Sequence, residues 1–148
     1  KILTVDWLRE IVDFKRGSQN IVTTNGVFDI LHRGHIHALQ AAKEYGYLIV
    51  GLNSDISVKR YKGEGRPINN ERDRAYVLSA LECVDLIYIF DEPNPINFLE
   101  LVKPKYHVKS RSGYKGLERD VVERNGGQVI LIDDLPNYST TNIISKLE

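Results

Sequence analysis

Residues 20–35 read Asn-Ile-Val-Thr-Thr-Asn-Gly-Val-Phe-Asp-Ile-Leu-His-Arg-Gly-His, and this stretch sets the fold class. It leaves a short apolar strand and passes Gly26, where a backbone without a Cβ atom can approach a ligand closely. It then enters a helix at His-x-Gly-His. Backbone N–H groups and the helix dipole favour an anion at that point. The stretch therefore predicts an α/β unit with an anion site where the helix begins.

Two histidines in this stretch are the first candidate functional residues. His32 and His35 are three residues apart, so both imidazoles face one pocket at the start of the helix, and Gly34 leaves room between them. Two imidazoles beside a helix N-terminus suit phosphate oxygens better than a metal ion. A zinc site needs a further ligand, and His37 is expected to point elsewhere on the helix. We therefore predict no metal held by side chains alone.

Short apolar runs alternate with helical patterns along the rest of the chain. The runs lie at residues 20–24, 47–52, 86–90, 106–109 and 129–132. This alternation predicts an α/β fold with a mostly parallel five-stranded sheet and helices on both faces. Because no repeat, low-complexity tract or long linker divides the sequence, we expect residues 1–148 to form a single domain.

The helical patterns are defined by residues that share one face. Residues 5–14 predict a helix, within an N-terminal extension of residues 1–19, that packs on the domain through Trp7, Ile11 and Phe14. The other predicted packing faces are Ala38, Ala41, Ala42 and Tyr45; Val77, Ala80, Leu81 and Val84; Leu117 and Val121, before a terminating Gly126; and Thr140, Ile143, Ile144 and Leu147.

Residues 53–70 form the longest segment in which no helix or strand is evident. The segment is rich in Lys, Arg and Gly, and it contains Lys62 and Arg66. A loop of this length in a compact domain is often functional, and this one follows a strand, where α/β folds bind ligands. The alternative interpretation is a solvated charged loop.

Composition and motifs exclude several classes of protein. The 148 residues contain 20 Lys plus Arg against 20 Asp plus Glu, so the formal net charge is +0 and broad binding to nucleic acid is not expected. The single cysteine, Cys83, excludes an intramolecular disulfide and fits a reducing compartment. The apolar runs are shorter than the roughly 20 residues that span a bilayer, and no signal-peptide pattern is present. We expect a cytoplasmic protein that binds neither nucleic acid nor membrane.

Several segments together resemble the HxGH nucleotidyltransferase superfamily, in its cytidylyltransferase-like branch. After His-x-Gly-His come Asn-Ser-Asp at 53–55, Lys-Gly-Glu-Gly-Arg-Pro at 62–67, Arg74, Ala-Leu-Glu-Cys-Val-Asp at 80–85 and Ser-Thr-Thr-Asn-Ile-Ile at 139–144. In content and order they are similar to the D-glycero-β-D-manno-heptose 1-phosphate adenylyltransferase domain of bacteria. That domain is often fused to a sugar kinase, and we expect no kinase within these 148 residues.

The resemblance implies a Rossmann-like fold and an enzyme that couples a nucleoside triphosphate to a phosphorylated small-molecule acceptor with release of pyrophosphate. The first choice is transfer of AMP from ATP to a sugar 1-phosphate, namely heptose 1-phosphate. The alternatives are CTP-dependent transfer to glycerol 3-phosphate or a related polyol phosphate, and transfer of AMP to FMN. The resemblance also implies Mg²⁺, bound mainly through the triphosphate, and a homodimer.

The resemblance assigns roles to individual residues. Attack on the α-phosphorus needs positioning and charge neutralisation, not a protein nucleophile. The implied catalytic residues are His32, His35 and Lys62. The implied nucleotide-binding residues are Asn25, Gly26, Val27, Phe28, Gly34, Asn53, Arg74, Ser139, Thr140 and Thr141. The implied acceptor-binding residues are Asp29, Arg66, Lys109 and Arg111.

Some of these residues have simpler interpretations. Arg74 could pair with a neighbouring acid, Asp29 could hold a turn, and capping of the last helix explains one hydroxyl of the Ser-Thr-Thr segment. Residues 108–114 read Val-Lys-Ser-Arg-Ser-Gly-Tyr and depart from the Val-Lys-Gly-Gly-Asp-Tyr of the heptose enzymes. The sequence therefore does not decide which nucleotide base, that of ATP or that of CTP, the protein prefers. Residues 133–138 lack the Arg of glycerol-phosphate cytidylyltransferases, which disfavours that alternative.

The motifs of several other classes of nucleotide-binding protein are missing from the sequence. Neither Gly-x-Gly-x-x-Gly nor the P-loop pattern is present, which argues against a dehydrogenase, a kinase or a GTPase. The rival from another class is a nucleotide-binding regulatory module that has lost turnover. The intact His32, His35 and Lys62 argue against it.

Overall fold

Five strands form one sheet in the computed structural model, which describes residues 1–136 and 138–148. They are β1 (Ile21–Gly26), β2 (Tyr47–Asn53), β3 (Leu86–Phe90), β4 (Tyr106–Ser110) and β5 (Gln128–Ile132). Every neighbouring pair is parallel, in the order β3-β2-β1-β4-β5. The five predicted strands are confirmed.

The strand order creates a crevice. From β1 the chain winds outward through β2 to β3, and it then returns across the sheet to β4 and continues to β5. Connections therefore leave the carboxyl ends of β1 and β4 in opposite directions. Ligands of open α/β sheets bind at such a switch point.

Helices cover both faces of this sheet. Among the described residues they are α1 (Val5–Arg16), α2 (Arg33–Lys43), α3 (Asp55–Lys62), α4 (Glu71–Ser79), α5 (Ile96–Val102), α6 (Glu118–Arg124) and α7 (Thr140–Leu147). Buried residues of α2 and α4 form the core on one face, and those of α1, α5 and α6 form the core on the other. No helix in the two described ranges has the length and apolar character needed to cross a membrane.

Strand β2 lies inside the sheet, and residues 48–53 of it are all buried. Gly51 makes room for α5 on one face, because a Cβ atom there would lie 2.7 Å from the Phe98 ring. The same ring packs parallel to those of Tyr88 and Phe90 on β3. This close approach fixes α5, and through it the return of the chain to β4.

The packing face of α1 differs from the predicted one. Leu8 and Val12 are 0% and 2% exposed, whereas Trp7 and Phe14 are 60% and 78% exposed. The prediction of Trp7 and Phe14 as packing residues is therefore wrong. The buried stripe lies on the neighbouring side of the helix, where two smaller aliphatic side chains meet the core beside Ile11.

Four other apolar residues were assigned to buried faces but are exposed. Val77 is 49% exposed, because Arg74, Ala75 and Leu78 form the buried face of α4. Ala80 is exposed too, since α4 ends at Ser79 and residues 80–84 lie in turns and irregular structure. Leu117 precedes α6 and is 48% exposed. Leu147, the last residue of α7, is 80% exposed.

Two helices were not predicted. The segment 53–70 contains α3, which begins where the Ser54 hydroxyl accepts a hydrogen bond from the Ser57 N–H at 3.2 Å. Its sequence, rich in Lys and Arg, has little apolar periodicity. Helix α5 is short and apolar on most sides, so it also lacks the periodic pattern of a half-buried helix.

The packing of α1 predicts unequal losses of stability for two neighbouring residues. Leu8→Ala should lower the free energy of unfolding by about 2–5 kcal/mol, because it leaves a cavity in the core. Trp7→Ala should change it by less than about 1 kcal/mol, because that side chain is exposed. Denaturant titration of both variants measures the difference, and equal losses would contradict the observed face.

Candidate active site

A cavity of about 310 Å³ opens at the carboxyl ends of β1 and β4. The start of α2, the end of α3 and the start of α7 enclose it. Many residues predicted from the sequence line it, namely Asn25, Gly26, Val27, Phe28, His32, Gly34, His35, Lys62, Lys109, Ser139, Thr140 and Thr141. Their contacts with a ligand stay predictions.

The first turn of α2 is capped by the two histidines. Nδ1 of His32 accepts a hydrogen bond from the Gly34 N–H at 3.1 Å, and Nδ1 of His35 accepts one from the His32 N–H at 3.3 Å. A ring nitrogen that accepts a hydrogen bond carries no proton, so each neutral imidazole carries its proton on Nε2. The two rings stack with centroids 3.8 Å apart and line the cavity as a pair of Nε2–H donors.

Two glycines allow aromatic rings to approach the backbone at this site. A Cβ atom on Gly34 would lie 2.9 Å from the His32 ring, so the capping arrangement requires glycine. A Cβ atom on Gly26 would lie 3.0 Å from the Phe28 ring. Phe28 itself has a left-handed backbone with φ of 49°, which is strained for an aromatic residue. Its ring centroid lies 5.3 Å from that of His35.

Burial keeps both imidazoles neutral at physiological pH. It lowers the pKa of His32. Burial, together with the charges of His32 and Lys62, lowers the pKa of His35 to about 4. The caps reinforce this state, because a proton on Nδ1 would face a backbone N–H. The pair therefore offers two neutral Nε2–H donors to an anion in the cavity.

Lys62 brings a cation to the cavity from the end of α3. The helix stops at Gly63, whose φ of 86° is readily adopted by glycine. Burial and the charge of Arg66 lower the pKa of Lys62, whereas the carboxylate of Asp29 opposes this shift.

Lys109 supplies a second cation from β4. It is 9% exposed, and its Nζ donates a hydrogen bond to the carbonyl oxygen of Asn25 at 2.8 Å. Burial lowers its pKa to about 8, although the carboxylate of Glu118 acts in the opposite direction. Lys109 is therefore largely protonated at neutral pH.

The start of α7 places three hydroxyl groups at the cavity. The Ser139 hydroxyl accepts a hydrogen bond from the Asn142 N–H at 2.9 Å and so caps the helix. The Thr140 hydroxyl donates to the carbonyl oxygen of Ile30 at 3.2 Å, which ties α7 to the loop after β1. Thr141 also lines the cavity. The Ser139 hydroxyl therefore has the capping role that one interpretation of the sequence predicted for a residue of this segment.

Arg74 lies outside the cavity lining and is 1% exposed. Its guanidinium donates to the carbonyl oxygens of Val27 and Asn53 at 2.8 Å and of Asn69 at 2.9 Å. It also forms an ion pair with Asp55 at 2.8 Å. The ion pair considered for Arg74 is therefore present, but it is buried. Arg74 holds together the ends of β1 and β2, the start of α3 and the loop before α4.

Asp29 is also used by the scaffold. It is 4% exposed, and its carboxylate accepts hydrogen bonds from the N–H groups of Ile68 and Asn69 at 2.7 and 2.9 Å. The Arg66 guanidinium lies 3.5 Å from the same carboxylate. Neither Asp29 nor Arg66 lines the cavity. These contacts support the turn role of Asp29, and its contact with an acceptor stays a prediction.

Two more predicted residues lie outside the cavity lining and are engaged by other side chains. The Asn53 side-chain amide donates to the Ser57 hydroxyl at 2.9 Å. Arg111 is exposed and pairs with Asp133 at 2.8 Å. The structure therefore does not bring the Asn53 and Arg111 side chains to the histidine pair.

Sequence reasoning missed several residues of the lining. Ser112 donates its N–H and its hydroxyl to the Asp134 carboxylate at 3.0 and 2.6 Å, and both residues line the cavity. The departure from the family pattern at residues 108–114 pointed to Ser112, whereas no motif marked Asp134. Tyr138 stacks on His32 with centroids 6.3 Å apart. His37 is exposed and is also among the lining residues.

Side chains do not form a ready-made metal centre in the described parts of the chain. No group of three or more His, Cys, Asp or Glu residues there is arranged to hold a metal ion. The cavity instead presents imidazole N–H groups, two lysines and a helix N-terminus, which is a donor set for phosphate groups.

Comparisons with known proteins identify the family. A model of the cytidylyltransferase-like family matches residues 23–146. Two of the most similar relatives are named "Bifunctional protein HldE". The one from Geobacter metallireducens is 46% identical over 99% of this chain and 31% of its own length. The one from Campylobacter concisus is 47% identical over 100% of this chain and 31% of its own length, so the chain spans about a third of these relatives.

Solved structures show the same fold. The lipopolysaccharide core biosynthesis protein from Thermoplasma volcanium matches with a TM-score of 0.69 and 29% identity, over 80% of this chain and 99% of that one. A pantoate-beta-alanine ligase from Francisella tularensis matches with a TM-score of 0.66 over 97% of this chain and 75% of that one. At 15% identity, the second likeness concerns the fold alone.

The position of Arg74 predicts a loss of stability. Arg74→Met should lower the free energy of unfolding by about 3–5 kcal/mol, because it leaves Asp55 and three carbonyl groups without their buried partner. Arg72→Met, on the exposed side of the same helix, is the control and should change it little. Thermal and denaturant unfolding measure both. A normal stability with a selective loss of nucleotide binding would instead restore Arg74 to the binding site.

Proposed function

The chain belongs to the cytidylyltransferase-like family, and from that premise we propose that it transfers AMP from ATP to a sugar 1-phosphate, namely heptose 1-phosphate, with release of pyrophosphate. The observation that carries the proposal is the stacked His32–His35 pair, whose Nε2–H donors line the cavity beside two lysines. Similarity to the HldE relatives and to the lipopolysaccharide core biosynthesis protein supports a sugar acceptor.

The reaction needs no nucleophile from the protein. A phosphate oxygen of the acceptor attacks the α-phosphorus of the nucleotide, and the bond from that phosphorus to the bridging oxygen breaks, so pyrophosphate leaves with the bonding electron pair. Negative charge grows on the phosphate oxygens as this bond breaks. Donors that are fixed before the reaction stabilise that charge most, because they need no reorganisation.

His32 and His35 are such fixed donors. Their Nδ1 atoms are held by backbone N–H groups, so the rings cannot turn without breaking the caps. In the proposed complex their Nε2–H groups donate to the triphosphate. Lys62 and Lys109 supply positive charge from α3 and β4, and the N-terminus of α7 supplies dipole and hydroxyl groups.

Nucleotidyltransferases generally use a divalent metal ion, and we propose Mg²⁺ here. The carboxylates in the lining, Asp133 and Asp134, are engaged by Arg111 and by Ser112. The donor set thus fits a triphosphate better than a bare cation, and the phosphate oxygens would be the main ligands of Mg²⁺. The ion would neutralise part of the negative charge on the leaving pyrophosphate. We also propose a homodimer and a cytoplasmic location.

A substrate panel tests the proposed reaction. Pyrophosphate release with Mg²⁺ is measured from ATP, CTP, GTP and UTP, each against heptose 1-phosphate, other sugar 1-phosphates, glycerol 3-phosphate and FMN. We expect release from ATP with heptose 1-phosphate. Release from CTP with glycerol 3-phosphate, or from ATP with FMN, would replace the proposed pair by an alternative. Nucleotide binding without release from any pair would favour a regulatory module.

Substitution of the histidines tests their assigned role. His32→Asn keeps an oxygen that can cap the helix but removes the Nε2–H donor, so the fold should persist while kcat falls by about 100-fold or more. His35→Asn should have a similar effect on kcat. Gln40→Ala, on the exposed side of the same helix, is the control and should retain full turnover. Turnover near the wild-type value in both histidine variants would remove the pair from catalysis.

A further inference from the structure

The loops that follow β4 and β5 are joined by hydrogen bonds beside the cavity. The Arg111 N–H donates to the carbonyl oxygen of Ile132 at 3.0 Å, and the Arg111 guanidinium pairs with Asp133 at 2.8 Å. One residue further on, Ser112 donates its N–H and its hydroxyl to the Asp134 carboxylate at 3.0 and 2.6 Å. The two loops therefore hold each other, and they fix the Asp134 carboxylate before a ligand arrives.

Asp133 and Asp134 are the two carboxylates of the cavity lining in the part of the chain that the structure describes, and their surroundings differ. The Asp133 side chain is 89% exposed and is neutralised by Arg111. Asp134 has uncharged partners instead, because Ser112 donates to both of its oxygens and the Ser110 side chain also donates to it. Burial opposes ionisation, but these hydrogen bonds outweigh it and hold the pKa of Asp134 below its usual value. Asp134 therefore keeps its negative charge at the cavity.

An ionised carboxylate at this position suits a hydrogen-bond donor of the ligand and not a phosphate group. It can only accept hydrogen bonds, at about four lone-pair positions, and the serine donors leave a position free. Its charge would repel a phosphate group that came close. A sugar hydroxyl is a neutral donor, and its hydrogen bond to a charged acceptor is stronger than one between two neutral groups. The chemistry of Asp134 therefore favours contact with a hydroxyl of a sugar phosphate.

Lys109 provides a phosphate-binding group beside the same loops. Residues 110–113 turn over its end, since a Cβ atom on Gly113 would lie 3.1 Å from the Ser110 hydroxyl and 3.8 Å from the Lys109 Nζ. An ammonium group has three donors, and the carbonyl oxygen of Asn25 takes one of them, so donors remain for a ligand. A phosphate group held by Lys109 would thus lie next to the loops that hold Asp134, and the sugar attached to that phosphate could reach the carboxylate.

Apolar side chains beside Asp134 favour a nucleoside as the source of the hydroxyl. Ile132 and Leu135 are partly buried, lie on either side of the two carboxylates in the sequence and line the same cavity. A nucleobase is attached directly to its ribose and has an apolar face, whereas an acceptor sugar carries polar groups around its ring. Carboxylates bind ribose hydroxyls at the carboxyl ends of the strands in other α/β folds. Apolar groups, a carboxylate and phosphate-binding groups are thus all available here, as base, ribose and phosphates of a nucleotide require.

We propose that Asp134, held by Ser112, accepts a hydrogen bond from a ribose hydroxyl of the nucleotide and so selects ribonucleotides over deoxyribonucleotides. The proposal rests on the proposed function in one respect, namely that a nucleoside triphosphate occupies the cavity. It does not depend on the base, because ATP and CTP carry the same ribose. A site that binds a hydroxyl rejects the analogue that lacks it, because the charged acceptor is then left without its partner.

Nucleotide binding without an acceptor tests this contact. ATP, 2′-deoxy-ATP and 3′-deoxy-ATP are titrated with Mg²⁺ by calorimetry into the wild-type chain and into Asp134→Ala, and the CTP series is used if CTP binds more tightly. We expect the wild type to bind at least one deoxynucleotide about 10-fold more weakly than ATP. Asp134→Ala should bind ATP about 10-fold more weakly than the wild type does, but should bind that deoxynucleotide with unchanged affinity. The substitution and the missing hydroxyl then remove the same hydrogen bond, as a double-mutant cycle requires.

A matched variant separates a direct contact from a loosened loop. Asp133→Ala removes the neighbouring carboxylate and its ion pair with Arg111, so it also deletes a contact between the two loops. We expect Asp133→Ala to keep the wild-type ratio of the affinities for ATP and the deoxynucleotide. If Asp134→Ala weakened the binding of ATP and of the deoxynucleotide equally, the loss would come from the loop and the inference would be overturned. A ratio that changed in Asp133→Ala but not in Asp134→Ala would also overturn it.

Failure of this inference and failure of the proposed reaction give different results. Equal wild-type affinities for ATP and both deoxynucleotides overturn the inference, even if pyrophosphate is released, and this comparison needs no variant to fold. A higher KM for the acceptor alone in Asp134→Ala would assign Asp134 to the acceptor sugar and overturn it too. Discrimination that disappears in Asp134→Ala supports the inference even if no acceptor reacts. A folded protein that binds no nucleotide would overturn both the inference and the proposed reaction.

Discussion

The capping hydrogen bonds that the His32 and His35 side chains accept are the constraint on which the chemistry of the cavity depends. A helix N-terminus leaves backbone N–H groups without partners, and here two of those near it are satisfied by the Nδ1 atoms of the histidines. The caps turn both rings so that their Nε2–H groups remain for a ligand. Gly34 is part of the same unit, because a Cβ atom there would collide with the His32 ring. His-x-Gly-His is therefore one structural device, and anion binding follows from how it caps itself.

Other charged residues build the scaffold that holds this device in place. Arg74 joins the ends of β1 and β2, and Asp29 binds the loop at residues 68–69 to the loop after β1. Both are almost completely buried, and their contacts fix the walls of the cavity before a ligand arrives. Arg74 and Asp29 resemble ligand contacts in the motif, but their observed contribution is to hold the walls of the cavity in position. The hydrogen bond from Thr140 to Ile30 has the same effect on α7.

The sequence predicted structural features correctly where a single physical pattern determined them. Buried parallel strands are continuous apolar runs, so their positions and the fold class followed directly, and the histidine pair followed from its spacing. The face of α1 did not, because two neighbouring apolar stripes have helical spacing, and the one that contains Leu8 and Val12 occupies the core. Arg74 and Asp134 show a second limit. Whether a charged side chain meets a ligand or a backbone carbonyl depends on contacts distant in sequence, which composition and spacing do not encode.

The electrostatics of the cavity also explain how a chain with no net charge can hold a polyanion. Burial lowers the pKa values of His32, His35, Lys62 and Lys109, because it penalises the charged form of each group. A bound phosphate group opposes each of these shifts, because negative charge favours the protonated form of its neighbours. The same argument applies more strongly as charge builds up on the leaving pyrophosphate. Because the favourable interaction with these groups grows as that charge builds up, they stabilise the transition state more than the ground state, and this difference is what accelerates a reaction.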